Sequence, residues 1–170
     1  MKAFIFLTIF QFIQTITTAQ TSYPVCWTYD IEFEQTDPKK GKIILAAKIL
    51  EGWKIFGRNN PMNGPVLLSI YFEEFENLNL QHKAQSLKPT VQEYSNIFEL
   101  DLQVHQDEAL YIQEFEIKDL QQPSFLSLNI EFMACNHEQC LPPNNYELET
   151  YVRRDPSINT LKIRKPCFEE

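Results

Sequence analysis

The sequence predicts an all-β protein, an antiparallel β-sandwich of seven to eight strands. Three observations carry that expectation. Apolar and polar residues alternate with a period of two along most of the chain. Clusters of Gly, Pro, Asn and Asp separate the alternating runs. No window holds a sustained apolar stripe at helical spacing.

Trp27 to Glu34 is the cleanest run: Trp27, Tyr29, Ile31 and Phe33 share one face, and Thr28, Asp30, Glu32 and Glu34 the other, as in a half-buried strand. Asp37-Pro38-Lys39-Lys40-Gly41 is a turn by composition, and Lys42 to Leu50 is a second, more buried strand that ends at Glu51-Gly52. Trp53 to Phe56 runs into Gly57-Arg58-Asn59-Asn60-Pro61-Met62-Asn63-Gly64-Pro65. That stretch gathers two prolines, two glycines and three asparagines and must be a loop. Val66 to Glu73 resumes as a strand, and Glu74 to Thr90 is less regular. Phe98, Leu100, Leu102 and Val104 then alternate with Glu99, Asp101, Gln103 and His105, and Leu110 to Ile117 is the neighbouring strand. Leu126, Leu128, Ile130, Phe132 and Ala134 form one face of a further strand, with Ser127, Asn129, Glu131, Met133 and Cys135 on the other. Tyr146 to Val152 is the last strong strand, and the tail from Arg153 is polar and loose until Cys167. An immunoglobulin-like sandwich is the commonest arrangement of this many short strands; a closed barrel is the alternative.

The amino terminus sets the compartment. Met1-Lys2 is a positive start, Ala3 to Ile13 is almost wholly apolar, and Thr17-Thr18-Ala19 offers small residues for cleavage, the pattern of a secretory leader. The apolar run is too short for a retained membrane span. Cleavage is expected between Ala19 and Gln20, giving a signal peptide at 1–19, one domain at 20–152 and a polar tail at 153–170. Cys26 follows Tyr23-Pro24-Val25 rather than small residues, which argues against a lipid anchor. The mature protein is expected to be exported, in the periplasm or beyond. A net charge of −8 and the lack of a basic stripe argue against a nucleic-acid partner and against an anionic membrane surface. No later segment reads as a membrane span. There is no glycine-rich phosphate loop, no serine-nucleophile motif and no telling carboxylate spacing, so no cofactor is expected.

Four cysteines permit three pairings. Cys135 and Cys140 are close together, while Cys26 and Cys167 sit near the two ends of the mature chain. Two disulfides of different character are the simplest arrangement, and an exported protein is expected to form them. In Met133-Ala134-Cys135-Asn136-His137-Glu138-Gln139-Cys140-Leu141-Pro142-Pro143, Cys135 ends a strand on its polar face, and the two prolines cannot donate to a ladder. The pair is therefore expected at a hairpin edge within reach of solvent. Three readings stand: a stapling disulfide, a zinc site with His137 as third ligand, and a redox pair. Elsewhere, Trp53 reads as core and His82 and His105 as solvated residues. Glu73-Glu74-Phe75-Glu76 reads as a charged edge that blocks unwanted strand pairing.

Three segments in order, Gly52-Trp53-Lys54-Ile55-Phe56, Asn63-Gly64-Pro65 and Ala134-Cys135 through Cys140-Leu141-Pro142-Pro143, resemble the N-terminal periplasmic domain of the thiol:disulfide interchange protein DsbD. The resemblance runs from about Trp27 to Val152. It implies an immunoglobulin-like fold and thiol–disulfide exchange through Cys135 and Cys140, fed by a thioredoxin-like electron donor and passed to exported disulfide-containing acceptor proteins. It assigns the intermolecular bond to Cys140 and its resolution to Cys135. It also implies an aromatic cap over the pair, placed by order along the chain at Gln92-Glu93-Tyr94-Ser95-Asn96, with Tyr94 as its ring. DsbD continues into a membrane domain and a thioredoxin-like domain whereas this sequence ends at Glu170, so the donor is expected to act in trans. Cys26 and Cys167 are not part of the family pattern, and their bond is expected to be structural. The reading from a different class is a secreted immunoglobulin-like binding or adaptor module in which both disulfides are only structural.

Overall fold

The computed structural model describes residues 23–153 and 160–163, the latter as backbone alone. The expected leader, its cleavage point and Cys167 lie outside the described residues. Twelve strands are described: β1 (Val25–Phe33), β2 (Lys40–Ile49), β3 (Lys54–Phe56), β4 (Ser69–Glu76), β5 (Leu78–Ser86), β6 (Val91–Ser95), β7 (Leu100–Gln106), β8 (Glu108–Ile117), β9 (Ser124–Phe132), β10 (Ala134–Cys135), β11 (Asn144–Val152) and β12 (Thr160–Ile163). The protein is an all-β, immunoglobulin-like sandwich. All its described ladders are antiparallel, in three sheets ordered β12-β1-β2-β8-β5, β11-β9-β4 and β10-β3-β7-β6.

Alternation decides what each sheet buries. Trp27, Tyr29, Ile31 and Phe33 of β1 face inward beside Ile43, Leu45 and Ala47 of β2 and Tyr111 and Phe115 of β8. Leu126, Leu128, Ile130 and Phe132 of β9 and Leu148 and Val152 of β11 complete one continuous core. Phe132 meets Trp27 and Tyr23 edge to face, with ring centroids 5.9 and 5.6 Å apart, and Phe33 meets Phe115 in the same way at 5.8 Å. β2 passes close to its neighbours at Gly41. A Cβ there would lie 2.5 Å from the Phe115 ring and 2.7 Å from the Glu32 carbonyl, so the position has no room for a side chain.

The expected strands from Trp27, Lys42, Trp53, Val66, Leu110 and Tyr146 appear as β1, β2, β3, β4, β8 and β11, with ends shifted by a few residues. Three differences matter. The irregular stretch Glu74–Thr90 contains the end of β4 and all of β5. Its pattern was obscured because the β5–β8 register shifts between Gln81 and Gln85, where His82 takes a φ of 57°. The tail past Arg153, read from its polarity as loose, supplies β12, whose Thr160–Ile163 backbone pairs with Glu32–Tyr29. The long strand ending at Cys135 is broken at Met133, so that the chain leaves the β11-β9-β4 sheet and enters the β10-β3-β7-β6 sheet as β10. That crossing places the cysteines. The acidic run lies on β4, an edge strand of its sheet, as expected.

His105 was expected to be solvated and is not: it is 2 % exposed, and its Nε2 lies 2.9 Å from the Tyr111 hydroxyl. The reason is register, because His105 pairs with Ile55 and so turns into the main core. Burial pushes its imidazole below its ordinary value of 6.5. Above about pH 6.5 both folded and unfolded chains carry neutral imidazole. Below it the unfolded chain takes up a proton that the folded one resists, so stability falls as the pH falls. Thermal melts at pH 7.5 and 5.5 should show a smaller drop for His105→Gln than for the natural protein. The difference should approach about 1.4 kcal/mol per pH unit below 6.5 at its steepest; equal drops would overturn the assignment.

Candidate functional site

The cysteines meet at the rim of the β10-β3-β7-β6 sheet. Cys135 is paired with Lys54 of β3 on one side and forms an isolated antiparallel bridge with Cys140 on the other. The two are joined by a disulfide with their Cα atoms 4.0 Å apart. The four residues between them fold into a turn held by Asn136. Its Oδ1 accepts the amides of Glu138 and Gln139 at 2.9 and 2.8 Å, and its own amide donates to the Gln139 carbonyl at 2.9 Å. The Leu141 amide donates to the Ala134 carbonyl at 2.9 Å and closes the arm behind the pair.

Alternation places Cys135 on the face opposite Phe132 and Ala134, as expected, but that face is not open. Cys135 is 1 % exposed, while Cys140 is partly exposed at the rim. A second, smaller core of Phe56, Leu102, Val104 and Cys135 covers this side, with Leu67, Phe98, Leu100, Met133 and Cys140 packed against it. Two elements produce the cover. The loop after Phe56 is pinned to β7 by Asn60, whose amide group donates to the Gly57 and Gln103 carbonyls at 2.8 Å and accepts the Gln103 amide at 2.6 Å. Leu67 and Leu68 follow, with the Leu68 amide on the Phe56 carbonyl at 2.9 Å. The tip between β6 and β7 then brings Phe98 edge to face onto Phe56, centroids 5.8 Å apart.

Tyr94, the ring expected over the pair, points away from it. β6 pairs with β7 so that Glu93 stands opposite Leu102 and Tyr94 opposite Asp101. Glu93 shares the Cys135 face, and Tyr94 is on the other side of the sheet and 56 % exposed. Phe98, four residues on, is the partly buried ring packed on the cluster that holds the disulfide.

Tyr23 is a site residue that sequence reasoning missed. Its hydroxyl accepts the Ala134 amide and donates to the Pro142 carbonyl, both at 3.2 Å, so one side chain fastens both arms of the cysteine turn. Burial raises its phenol above the ordinary value, partly offset by the Ala134 hydrogen bond. Trp53 is partly buried against the main core and lines a groove of about 240 Å³ together with Lys54, Glu93, Gln106, Asp107 and His137. His137 is exposed and lies 3.5 Å from Glu138. With both sulfurs bonded to each other it is no third ligand of a zinc site here, and no metal-holding cluster occurs among the described residues. Cys26 is disulfide-bonded; its expected partner Cys167 lies outside the described residues.

No protein-family model matches the sequence, and no curated protein matches it. Solved structures do match. The N-terminal domain of DsbD from Neisseria meningitidis, in the reduced form, superposes with a TM-score of 0.51 at 11 % identity, covering 81 % of this chain and 90 % of that one. The N-terminal periplasmic domain of ScsB from Proteus mirabilis gives 0.54 at 15 % identity over 78 % of this chain, which spans 48 % of the ScsB chain. The N. meningitidis complex of the DsbD and PilB N-terminal domains gives 0.44 at 11 % identity, over 72 % of this chain and 80 % of that one. The sandwich that carries Cys135 and Cys140 has the fold of the DsbD N-terminal domain.

Proposed function

We propose that this domain performs thiol–disulfide exchange through Cys135 and Cys140, taking reducing equivalents from a thioredoxin-like donor and passing them to exported disulfide-containing proteins. The observation that carries the reading is the asymmetry of the bond: Cys140 is partly open at the sheet rim, and Cys135 is sealed beneath an apolar cover. A donor thiolate can approach the outer sulfur and expel the inner one, and the donor's second thiol then releases the reduced pair. In delivery, Cys140 attacks an acceptor disulfide and the inner thiol is placed to resolve that mixed disulfide. The same division of roles follows from the DsbD resemblance. A staple would gain little here. Closing a five-residue separation contributes about 2 kcal/mol at most in the chain-entropy model, and a sandwich with a core of this size does not depend on it. Phe98 acts as the cap that limits access. Cys26 and Cys167 form the structural bond. The leader-like N-terminus and the periplasmic origin of the ScsB domain support an exported, periplasmic setting.

The test is equilibration of the oxidised protein with dithiol redox buffers, followed by peptide mapping of the reduced cysteines. The Cys135–Cys140 bond should open at a potential above about −300 mV, well before the bond of Cys26. Phe98→Ala should speed its reduction several-fold, and Tyr94→Ala should leave the rate unchanged. A Cys135–Cys140 bond as resistant as that of Cys26 would sink the exchange reading and leave the binding module in its place.

A further inference from the structure

We infer that Lys54 stabilises the thiolate that Cys135 becomes during exchange, and that Glu93 holds this positive charge in check, so that the Lys54–Glu93 pair sets the redox potential of the site. The inference rests on the exchange reading above and adds positioning residues that the cysteine motif does not reveal.

The chemistry creates the need. A donor dithiol, as its thiolate, attacks Sγ of Cys140. The new S–S bond joins donor to Cys140, the Cys135–Cys140 bond breaks, and its electron pair leaves on Cys135 Sγ. The donor's second thiol then displaces Cys140. The donor ends as a disulfide, and its two protons and two electrons end on Cys135 and Cys140. Cys135 is 1 % exposed, so the leaving thiolate forms out of reach of bulk water. Burial disfavours a thiolate and a nearby ammonium favours it, and a better-stabilised leaving sulfur departs faster.

The cation is in place. Lys54 is the cross-strand partner of Cys135, on the same face of the sheet, where directly opposed side chains have their Cβ atoms about 5 Å apart. Its side chain is 13 % exposed and its ammonium pairs with Glu93 Oε1, while Glu93 Oε2 accepts the Gln106 amide at 2.8 Å. The groove of about 240 Å³ over these residues reaches His137 in the turn between the cysteines. The charged or titratable groups lining it are Lys54 of β3, Glu93 of β6, Asp107 after β7 and His137, with Glu138 beside His137. Of these, Lys54 alone is the cross-strand neighbour of Cys135. A partly buried ion pair is weak evidence for a role in stability, which makes a role in the reaction the more economical account of this one.

The two partners should act with opposite signs. Lys54→Met removes the positive charge, disfavours the reduced pair and should shift the exchange equilibrium with dithiothreitol about tenfold toward the disulfide, a potential lower by about 30 mV. Glu93→Gln frees the ammonium and should shift the equilibrium the other way, while its amide oxygen can still accept from Gln106 and from Lys54. Lys54→Arg should restore the natural value. The full chain is equilibrated with dithiothreitol buffers, and thermal melting confirms that each variant is folded. Shifts of the same sign in Lys54→Met and Glu93→Gln, or no shift in either while the natural bond is readily reduced, would overturn the inference and leave the exchange reading intact. A natural bond that resists dithiothreitol altogether would remove the exchange reading, and this inference with it.

Discussion

Cys135→Ser is expected to accumulate a covalent complex with its partner through Cys140, at least tenfold more than Cys140→Ser does. The expectation comes from the unequal environments of the two sulfurs. Cys140 sits at the rim, partly exposed, next to a turn whose His137 and Glu138 side chains are open to solvent. Cys135 is buried in a cluster with Phe56, Leu102 and Val104. A mixed disulfide on Cys140 normally lasts only until the neighbouring thiol attacks it, and serine at 135 cannot attack. In Cys140→Ser the remaining sulfur is the sealed one, so few complexes should form. The measurement is a non-reducing gel of each variant expressed in an exporting cell, with the trapped band lost on adding dithiol. Equal bands, or a stronger band for Cys140→Ser, would reverse the roles of the two cysteines.

Phe132→Ala should be among the most damaging single changes, costing about 3–5 kcal/mol. Phe132 is 2 % exposed, ends β9 one residue before the chain crosses between sheets, and holds the rings of Trp27 and Tyr23 edge to face. Truncation leaves a cavity between the two layers and removes the seat of the Tyr23 ring, whose hydroxyl fastens the arms of the cysteine turn. Two effects should therefore appear together: a melting temperature lower by more than about 10 °C, and faster reduction of the Cys135–Cys140 bond at temperatures where the variant is still folded. Phe125→Ala provides the contrast. Phe125 is partly buried and packs on Tyr151, itself 60 % exposed, at a centroid distance of 5.3 Å, so its loss should cost far less and leave the reduction rate unchanged. Equal losses of stability in the two variants would count against the layer packing described above.

Much of the fold was legible because strict alternation records a half-buried strand directly. β1 reads straight off Trp27, Tyr29, Ile31 and Phe33, and the three asparagines with two glycines and two prolines mark the loop after Phe56. What escaped was whatever depends on pairing between distant segments. The β5 pattern is broken by a register shift around His82, and the short β12 is a strand only because β1 offers it an edge. His105 looked like the polar member of an alternating run, but both faces of the sheet around it are covered, the outer one by a loop and a hairpin tip that periodicity does not report. The cysteine pair was legible as a motif and its rim position was anticipated. The burial of Cys135 was not, because it depends on Asn60 pinning the loop. Tyr94 was placed over the pair by its order along the chain, and only the β6–β7 register, which sets it opposite Asp101, turns its ring to the other face.

The Tyr23 hydroxyl joins positions 111 and 119 residues apart in the chain. Proteins are made from the amino end, so this tyrosine waits while more than a hundred further residues are added before the two groups it must hold exist. The cysteines, five positions apart, can oxidise as soon as both have emerged, and the clasp closes only afterwards, since contacts of such long sequence separation form late. A nascent chain stopped short of Pro142 can bear both sulfurs and still lack the fastening that shapes them. In the same way, an addition at the amino terminus that draws Tyr23 aside would loosen a turn more than a hundred residues downstream.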